Sequence, residues 1–459
     1  MIDYLIMKGN VLAVFFITIL IVAAAFLYWF KAKPDNVAQP LCLDCNVVLV
    51  SFDTLRADHV GVFGYKKNTT PTIDKFAQEG FVFTNAVSVT SWTLPSHMSW
   101  FTGVYPSQHK VLNKFTVKEV GQEEITNLEK VSPGMLTLAE VFKQNGYKTG
   151  GFTGGAGVNH EFGFDKGFDI YTDDKEFAGF SDSIPKALDW ISQHKGEKVF
   201  VFLHGYDIHG QYEPEGGYDY RFLDLEYNGK LTGSKEEQKD MREEGLTRGE
   251  IFLTEEDVRF LTALYDEKIQ RADEQFSRFI AEYKSLGLMD KTIIIFISDH
   301  GEELYEHGRI DHGHSLYEEQ IRVPLIITVP ATAQPQKIDF QVRSIDIMPT
   351  IFGLVGINPG DAIVKQMAGV SLVPFMKGEE MLLDVFPETD YRYATFLRAV
   401  GAENQWKLIR NLEFNSEEVY NLKNDPEEKD NMSTGRHKQI ELLKQKLDAH
   451  LDSLTADQN

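Results

Sequence analysis

Two short runs stand out along the chain. Asn46–Phe52 and residues 292–297 are dense in β-branched and aromatic side chains, with no charge inside either run. Continuous apolar stretches of this length predict strands buried on both faces, in the middle of a parallel sheet covered by helices. Residues 200–203 predict a third such strand. Residues 257–286 repeat apolar positions at helical spacing (Leu261, Leu264, Ile269, Ala272, Phe276, Phe279 and Ile280), which predicts a core-facing helix. Further helices are predicted over 344–356 and 436–454, and short antiparallel strands over 395–422. The polar, charge-rich stretch 214–253 predicts a loop over the edge of a site. The chain holds no internal repeat and no low-complexity segment.

Residues 11–30, from Val11 to Phe30, are uncharged, apolar and long enough to span a bilayer. They close on Tyr28, Trp29 and Phe30 at the expected interface and are stopped by Lys31, Lys33 and Pro34. This predicts a single-pass membrane anchor over residues 1–33, followed by a linker over 34–45. A cleaved signal peptide, with Ala23, Ala24 and Ala25 as its small residues, is the alternative. Lys31 and Lys33 after the run, against Lys8 before it, favour the cytoplasm by charge count alone. Cys42 and Cys45 lie in the linker; with no second pair to complete a zinc site, they predict a local disulfide or idle thiols.

Composition adds two constraints. A chain of 459 residues with 42% hydrophobic content is large enough for one big domain and a smaller one. The net charge of −23, without a basic run, excludes sequence-independent nucleic-acid binding. An acidic surface does not attract an anionic substrate, so a site for one must supply its own positive charge.

The candidate chemistry sits where the strands end. Asp53 follows the first strand, and Ser298-Asp299-His300-Gly301-Glu302 follows the 292–297 run; open α/β sheets bind ligands at the carboxyl ends of their strands. Thr93-Leu94-Pro95-Ser96 reads as the start of a helix, with Pro95 in its first turn and Thr93 just ahead of it, where free amides and the positive end of the dipole polarise a bound anion. The same four residues also read as a plain helix cap. Asp53, Thr93, Asp299 and His300 together make a mixed oxygen and nitrogen set for one divalent metal.

These segments resemble the sulfatase branch of the alkaline phosphatase superfamily. The stretch from Val50 to Gly61 is similar to its first metal-binding strand, Thr93-Leu94-Pro95-Ser96 with Thr102-Gly103 to its nucleophile signature, and Ser298 to Glu302 to its second metal motif. Tyr317-Glu318-Glu319, Arg322-Val323-Pro324, Asp346 to Thr350 and Gly369 to Leu372 follow in the family's order, with Trp406 to Ile409 and Val419 to Leu422 near the C-terminus. The resemblance implies an α/β fold with a large mixed sheet sandwiched by helices, a catalytic domain over 46–375 and a small antiparallel subdomain with a final helix over 376–459. It also implies an exported enzyme, with the catalytic domain on the extracytoplasmic, periplasmic side of the membrane.

Three departures qualify that likeness. Thr93 stands where sulfatases carry the Cys or Ser that becomes formylglycine, and a secondary alcohol cannot give that aldehyde. His97 stands where the signature has arginine. The double aspartate after the first strand is Asp53-Thr54 here. A threonine sulfate has no exit by breaking its own C–O bond, whereas a threonine phosphate is cleared by a second in-line displacement. Superfamily members with a threonine nucleophile surround one metal with Asp, Thr, Asp and His, which Asp53, Thr93, Asp299 and His300 match.

The resemblance therefore implies a metal-dependent hydrolase of small anionic esters, phosphoryl diester or monoester favoured, with a covalent Thr93 intermediate and calcium, manganese or zinc as cofactor. Sulfate ester hydrolysis by unmodified threonine, phosphotransfer to another alcohol, and a catalytically dead membrane-tethered binding protein are the alternatives. His209 stands at the family's substrate-binding histidine and His314 near the residue that holds the anion, so both are candidate catalytic groups. His97 and Arg56 are candidate substrate contacts. Asp207, His209 and His314 are candidates for a second metal. His204, His307 and His312 are assigned to packing rather than chemistry.

Overall fold

The computed structural model describes residues 40–112, 130–210, 212, 221–222, 227–330, 336–391, 395–402, 405–435 and 437–456, and residues from Pro40 onward pack as one unit. Its main sheet has eight strands: β1 (Asn46–Phe52), β2 (Phe81–Val87), β3 (Lys148–Phe152), β4 (Ile170–Thr172), β5 (Val199–Gly205), β6 (Thr292–Ser298), β9 (Arg322–Thr328) and β10 (Gln336–Arg343). A two-stranded hairpin, β7 (Glu303–Leu304) and β8 (Ile310–Asp311), stands apart. A second sheet joins β11 (Glu388–Tyr391), β12 (Thr395–Gly401), β13 (Trp406–Asn411) and β14 (Ser416–Asn421), all antiparallel. The large sheet runs β10-β2-β9-β6-β1-β5-β3-β4, and β9 alone opposes its neighbours β2 and β6.

β1 lies at the centre, parallel to both β5 and β6 and buried at every residue. Its register with β6 pairs Val47 with Ile293 and Phe52 with Ser298, so both strands end at the same level. On one face, Phe52 packs against Phe180 (ring centroids 4.6 Å), Phe276 (5.8 Å) and Phe296 (4.7 Å), beneath the helices Phe180–Gln193 and Glu255–Ser285. On the other, Phe142 stacks on Phe200 and Phe101 meets Phe202 edge-on, under the helices Leu138–Gln144 and Thr93–Thr102. Burial of this many large side chains on both faces is what the unbroken apolar runs require.

Glu255–Ser285 takes its start from a capping box, with the Thr254 side chain accepting from the Asp257 amide and the Asp257 carboxylate from the Thr254 amide. The final helix, Lys438–Ala456, lays Ile440, Leu443 and Leu447 on Val400, Leu408 and Val419 of the small sheet. The boundary expected after residue 375 falls inside a short Val373–Met376 helix, and the small sheet begins at Glu388.

Residues 214–253 differ from the loop expected of them. Among their described residues, Lys235–Arg248 forms a helix, capped by the Ser234 hydroxyl accepting from the Glu237 amide and closed by Gly249 in the left-handed region (φ 91°). Helix-forming Lys, Glu and Gln outweigh polarity there, and Ser234 with Glu237 three residues on is a start signal readable in the sequence. Among the described residues no helix is long and apolar enough to cross a membrane; the span expected over residues 11–30, and the anchor with it, lies outside them. Cys42 and Cys45 form a disulfide.

Candidate metal centre

The in-register ends of β1 and β6 place Asp53 beside Asp299. Both side chains are fully buried, and the Thr54 amide donates to Asp299 Oδ1 over 3.1 Å. Thr54 adopts φ 57°, a left-handed conformation costly for a β-branched residue, and this turn aims its amide at the neighbouring strand end. The His300 amide donates to the same oxygen (2.9 Å).

Thr93 is the first residue of the Thr93–Thr102 helix, preceded by Trp92 in extended conformation and with no side chain capping it among the described residues. Its hydroxyl therefore does not serve as a helix cap. Instead Thr93 Oγ1 lies 3.3 Å from Asp53 Oδ2 and 3.3 Å from His300 Nε2. The helix C-terminus is closed by Gly103 at φ 72°. Gly157 leaves room above the nucleophile: a Cβ there would sit 3.0 Å from Thr93 Cβ and 3.2 Å from the Tyr206 hydroxyl.

Protonation states follow from these partners. His300 Nδ1 donates to the Gly301 carbonyl (2.9 Å), which leaves a lone pair on Nε2 facing Thr93; burial holds this imidazole down at about 4. Burial raises Asp53 well above the carboxylate range, and the nearby Glu302 charge raises it further; Asp299 is raised by burial and then by Asp53. Asp53 Oδ1 and Asp299 Oδ2 have no hydrogen-bond partner among the described residues. The ligand atoms of Asp53, Asp299 and His300 lie within 4.8 Å of one another. Two orphaned buried carboxylate oxygens and an imidazole with its lone pair turned inward fit a divalent cation.

The other predicted residues are placed differently. His97 Nδ1 donates to the Thr93 carbonyl (2.9 Å) and its Nε2 accepts from the Ser51 hydroxyl (2.8 Å), so both ring nitrogens support the nucleophile's backbone and the first strand. Arg56 spends its guanidinium on both oxygens of Asp58, on Glu306 and on the Glu302 carbonyl. Asp207 accepts from the Phe180 amide (2.7 Å), which satisfies the start of a helix. His314 Nε2 donates to Glu303 Oε2 (2.8 Å). Among the described residues, Asp207, His209 and His314 do not gather as one ligand set. His209 is half-buried, with its ring 5.0 Å from that of His312 and its carbonyl accepting from Lys268 (2.6 Å).

Four residues outside the predicted set stand at this centre. His204 Nε2 lies 3.4 Å from Asp53 Oδ2, and the ring of His312 lies 4.4 Å from that of His300. Glu302 is fully buried and faces Asp53 electrostatically, and Lys268 brings a positive charge from the long helix. His204 ends a strand-like run, which was the available signal; His312 and Glu302 sit in a short hairpin with no such pattern, and Lys268 is one lysine among many on a helix.

With this geometry in place, the comparisons with known proteins can be stated. The family model described as Sulfatase matches residues 45–357, and one described as N-sulphoglucosamine sulphohydrolase, C-terminal, matches residues 305–457. The chain is 24% identical over 430 residues to a Delta 4,5-hexuronate-2-O-sulfatase of Bacteroides thetaiotaomicron, covering 84% of each protein. It is 26% identical to an ulvan-active sulfatase of Formosa agariphila, over 81% of this chain and 61% of that one. Among solved structures, the phosphonate monoester hydrolase of Agrobacterium radiobacter superposes with a TM-score of 0.69 at 19% identity, over 90% of this chain and 96% of that one. At that identity the superposition shows the shared fold.

Proposed function

The chain belongs to the sulfatase family, and on that footing we propose that it is a metal-dependent hydrolase of small anionic esters in which Thr93 is the nucleophile, with phosphoryl esters favoured. The observation that carries this reading is the position of Thr93 Oγ1, 3.3 Å from both Asp53 Oδ2 and His300 Nε2 at the open start of a helix.

Asp53, Thr93, Asp299 and His300 are the residues that would hold the cation. When bound, it supplies positive charge that polarises the ester and favours the ionised hydroxyl. The imidazole favours manganese or zinc over calcium. The rest falls to the chain's own groups. The helix amides following Thr93 stabilise the negative charge that develops on the ester oxygens. Thr93 Oγ1 attacks phosphorus, the ester C–O–P linkage breaks at the P–O bond, and the departing alkoxide takes a proton from an imidazole at the half-buried mouth, where His209 stands. Water then attacks the Thr93-bound phosphoryl group, the Thr93 Oγ1–P bond breaks, and the hydroxyl is regenerated. His97 fixes the Thr93 carbonyl throughout.

Phosphorus is preferred over sulfur on chemical grounds. An unmodified threonine sulfate offers no elimination route, whereas a threonine phosphate opens by a second displacement. A sulfate ester is the second reading, supported by relatives whose names state sulfatase activity. Turnover of nitrophenyl phosphate diester, phosphonate, phosphate monoester and sulfate by the metal-loaded chain decides between them. Sulfate turnover exceeding every phosphoryl substrate would reverse the preference.

A further inference from the structure

Beside the centre just described lies a second group of ligand-type side chains. Glu302 follows Gly301 directly, and Asp311 and His312 leave the β7–β8 hairpin, whose register pairs Glu303 with Asp311. The ligand atoms of Glu302, Asp311 and His312 lie within 4.8 Å of one another. Glu302 Oε1 is 3.2 Å and Asp311 Oδ1 is 3.0 Å from His312 Nδ1, so two carboxylates and an imidazole converge on one point.

An acidic cluster alone would carry nothing. Here Glu302 is 0% exposed and its Oε2 has no hydrogen-bond partner among the described residues, although Tyr212 packs nearby. Asp311 is paired with Arg242 through its other oxygen (3.1 Å), so that positive charge is already committed. Lys268 lies near enough to act on Glu302, yet its ammonium donates to the His209 carbonyl. A cation at the first centre answers Asp53 and Asp299 and leaves the Glu302 carboxylate buried without a counter-charge. Buried charges are paired or coordinate metals.

We propose that Glu302, Asp311 and His312 hold a second divalent cation, next to the one held by Asp53, Asp299 and His300. The two sites adjoin through His300 and His312, whose ring centroids are 4.4 Å apart. Two carboxylates and one imidazole select an ion of the zinc or manganese type. The inference rests on the metal-dependent reading above for its neighbour, and it sharpens it: paired cations suit in-line phosphoryl displacement, where attacking and leaving oxygens both carry charge.

The test counts ions rather than turnover. The full-length chain, kept in detergent, is stripped with chelator and reloaded with Mn²⁺ or Zn²⁺, and bound metal is measured by elemental mass spectrometry. Two ions per wild-type chain are expected, and one in each of Glu302→Gln and Asp299→Asn. The Mn²⁺ form should show a spin-coupled resonance that either substitution abolishes. His312→Gln serves as a second variant should Glu302→Gln unfold, with circular dichroism checking every protein. One ion in the wild type, lost in Asp299→Asn and kept in Glu302→Gln, overturns the second site and leaves the first standing. No bound ion in the wild type overturns both.

Discussion

His300 Nε2 faces Thr93 Oγ1 across 3.3 Å because His300 Nδ1 is tied to the carbonyl of the next residue, Gly301. The backbone thereby selects the tautomer with a lone pair toward the hydroxyl, before any ligand arrives. A second-row consequence is that the orientation of His300 does not depend on another side chain, whereas that of Thr93 depends on His97 and the helix start.

Removing the Thr93 hydroxyl should abolish turnover and leave the fold intact. Thr93→Ala is expected to lower kcat by roughly a thousandfold or more, and Thr93→Ser to retain much of it. With a phosphoryl substrate, peptide mass spectrometry of a quenched reaction should find the phosphoryl group on the peptide holding Thr93. Undiminished turnover by Thr93→Ala would end the covalent mechanism.

The buried carboxylates give the metal-free chain a distinctive pH dependence. Asp53 and Asp299 are both raised, first by burial, so the folded state keeps their protons to higher pH than the unfolded state does. Their contribution is fully present below the unfolded carboxylate pKa, about 4. It is lost as pH rises through the folded values. The melting temperature of stripped protein should therefore fall as pH rises from about 4 toward neutrality, and a divalent ion should restore it at neutral pH in the wild type but not in Asp299→Asn. A stripped chain equally stable across that window contradicts the uncompensated charges.

His97 separates a supporting role from an anion-binding one. His97→Ala strands the Ser51 hydroxyl and opens a cavity in a fully buried place. The expected cost is about 3 kcal/mol of stability, with kcat reduced and KM for the ester within about twofold of wild type. A tenfold rise in KM at unchanged melting temperature would show that the imidazole touches substrate.

Arg56 is expected to act on stability rather than on substrate binding. Arg56→Ala leaves Asp58 and Glu306 without their partner and should cost about 3–5 kcal/mol. Arg56→Lys should recover only part of this, since one ammonium cannot replace a bidentate fork. Calorimetry checks both; a variant of wild-type stability with raised KM would move Arg56 into the substrate pocket.

The parts of this molecule most legible in its sequence are those where one physical rule dominates. Asn46–Phe52 and Thr292–Ser298 are buried on both faces, so their composition alone identified central strands and therefore the strand-end positions of Asp53 and Asp299. The helix Glu255–Ser285 showed its apolar stripe in the same way. The Lys235–Arg248 helix did not, because it is polar nearly all round and its propensity, rather than any stripe, decides its state. Histidines were the hardest to place. His209, His312 and His314 share one residue type and lie in irregular segments, and only tertiary packing turns His312 toward His300 while tying His314 to Glu303.

Equal lengths of β1 and β6, starting together at Asn46 and Thr292, mean that the two aspartates owe their proximity to ladder hydrogen bonding alone. No surface loop has to close for them to meet. Insertions and deletions around the rim, such as the segment carrying Lys235–Arg248, are thus free to reshape what is admitted without disturbing the charged pair beneath. A single-residue deletion inside β1, by contrast, would draw Asp53 back by one ladder step and turn its side chain to the opposite face of the sheet.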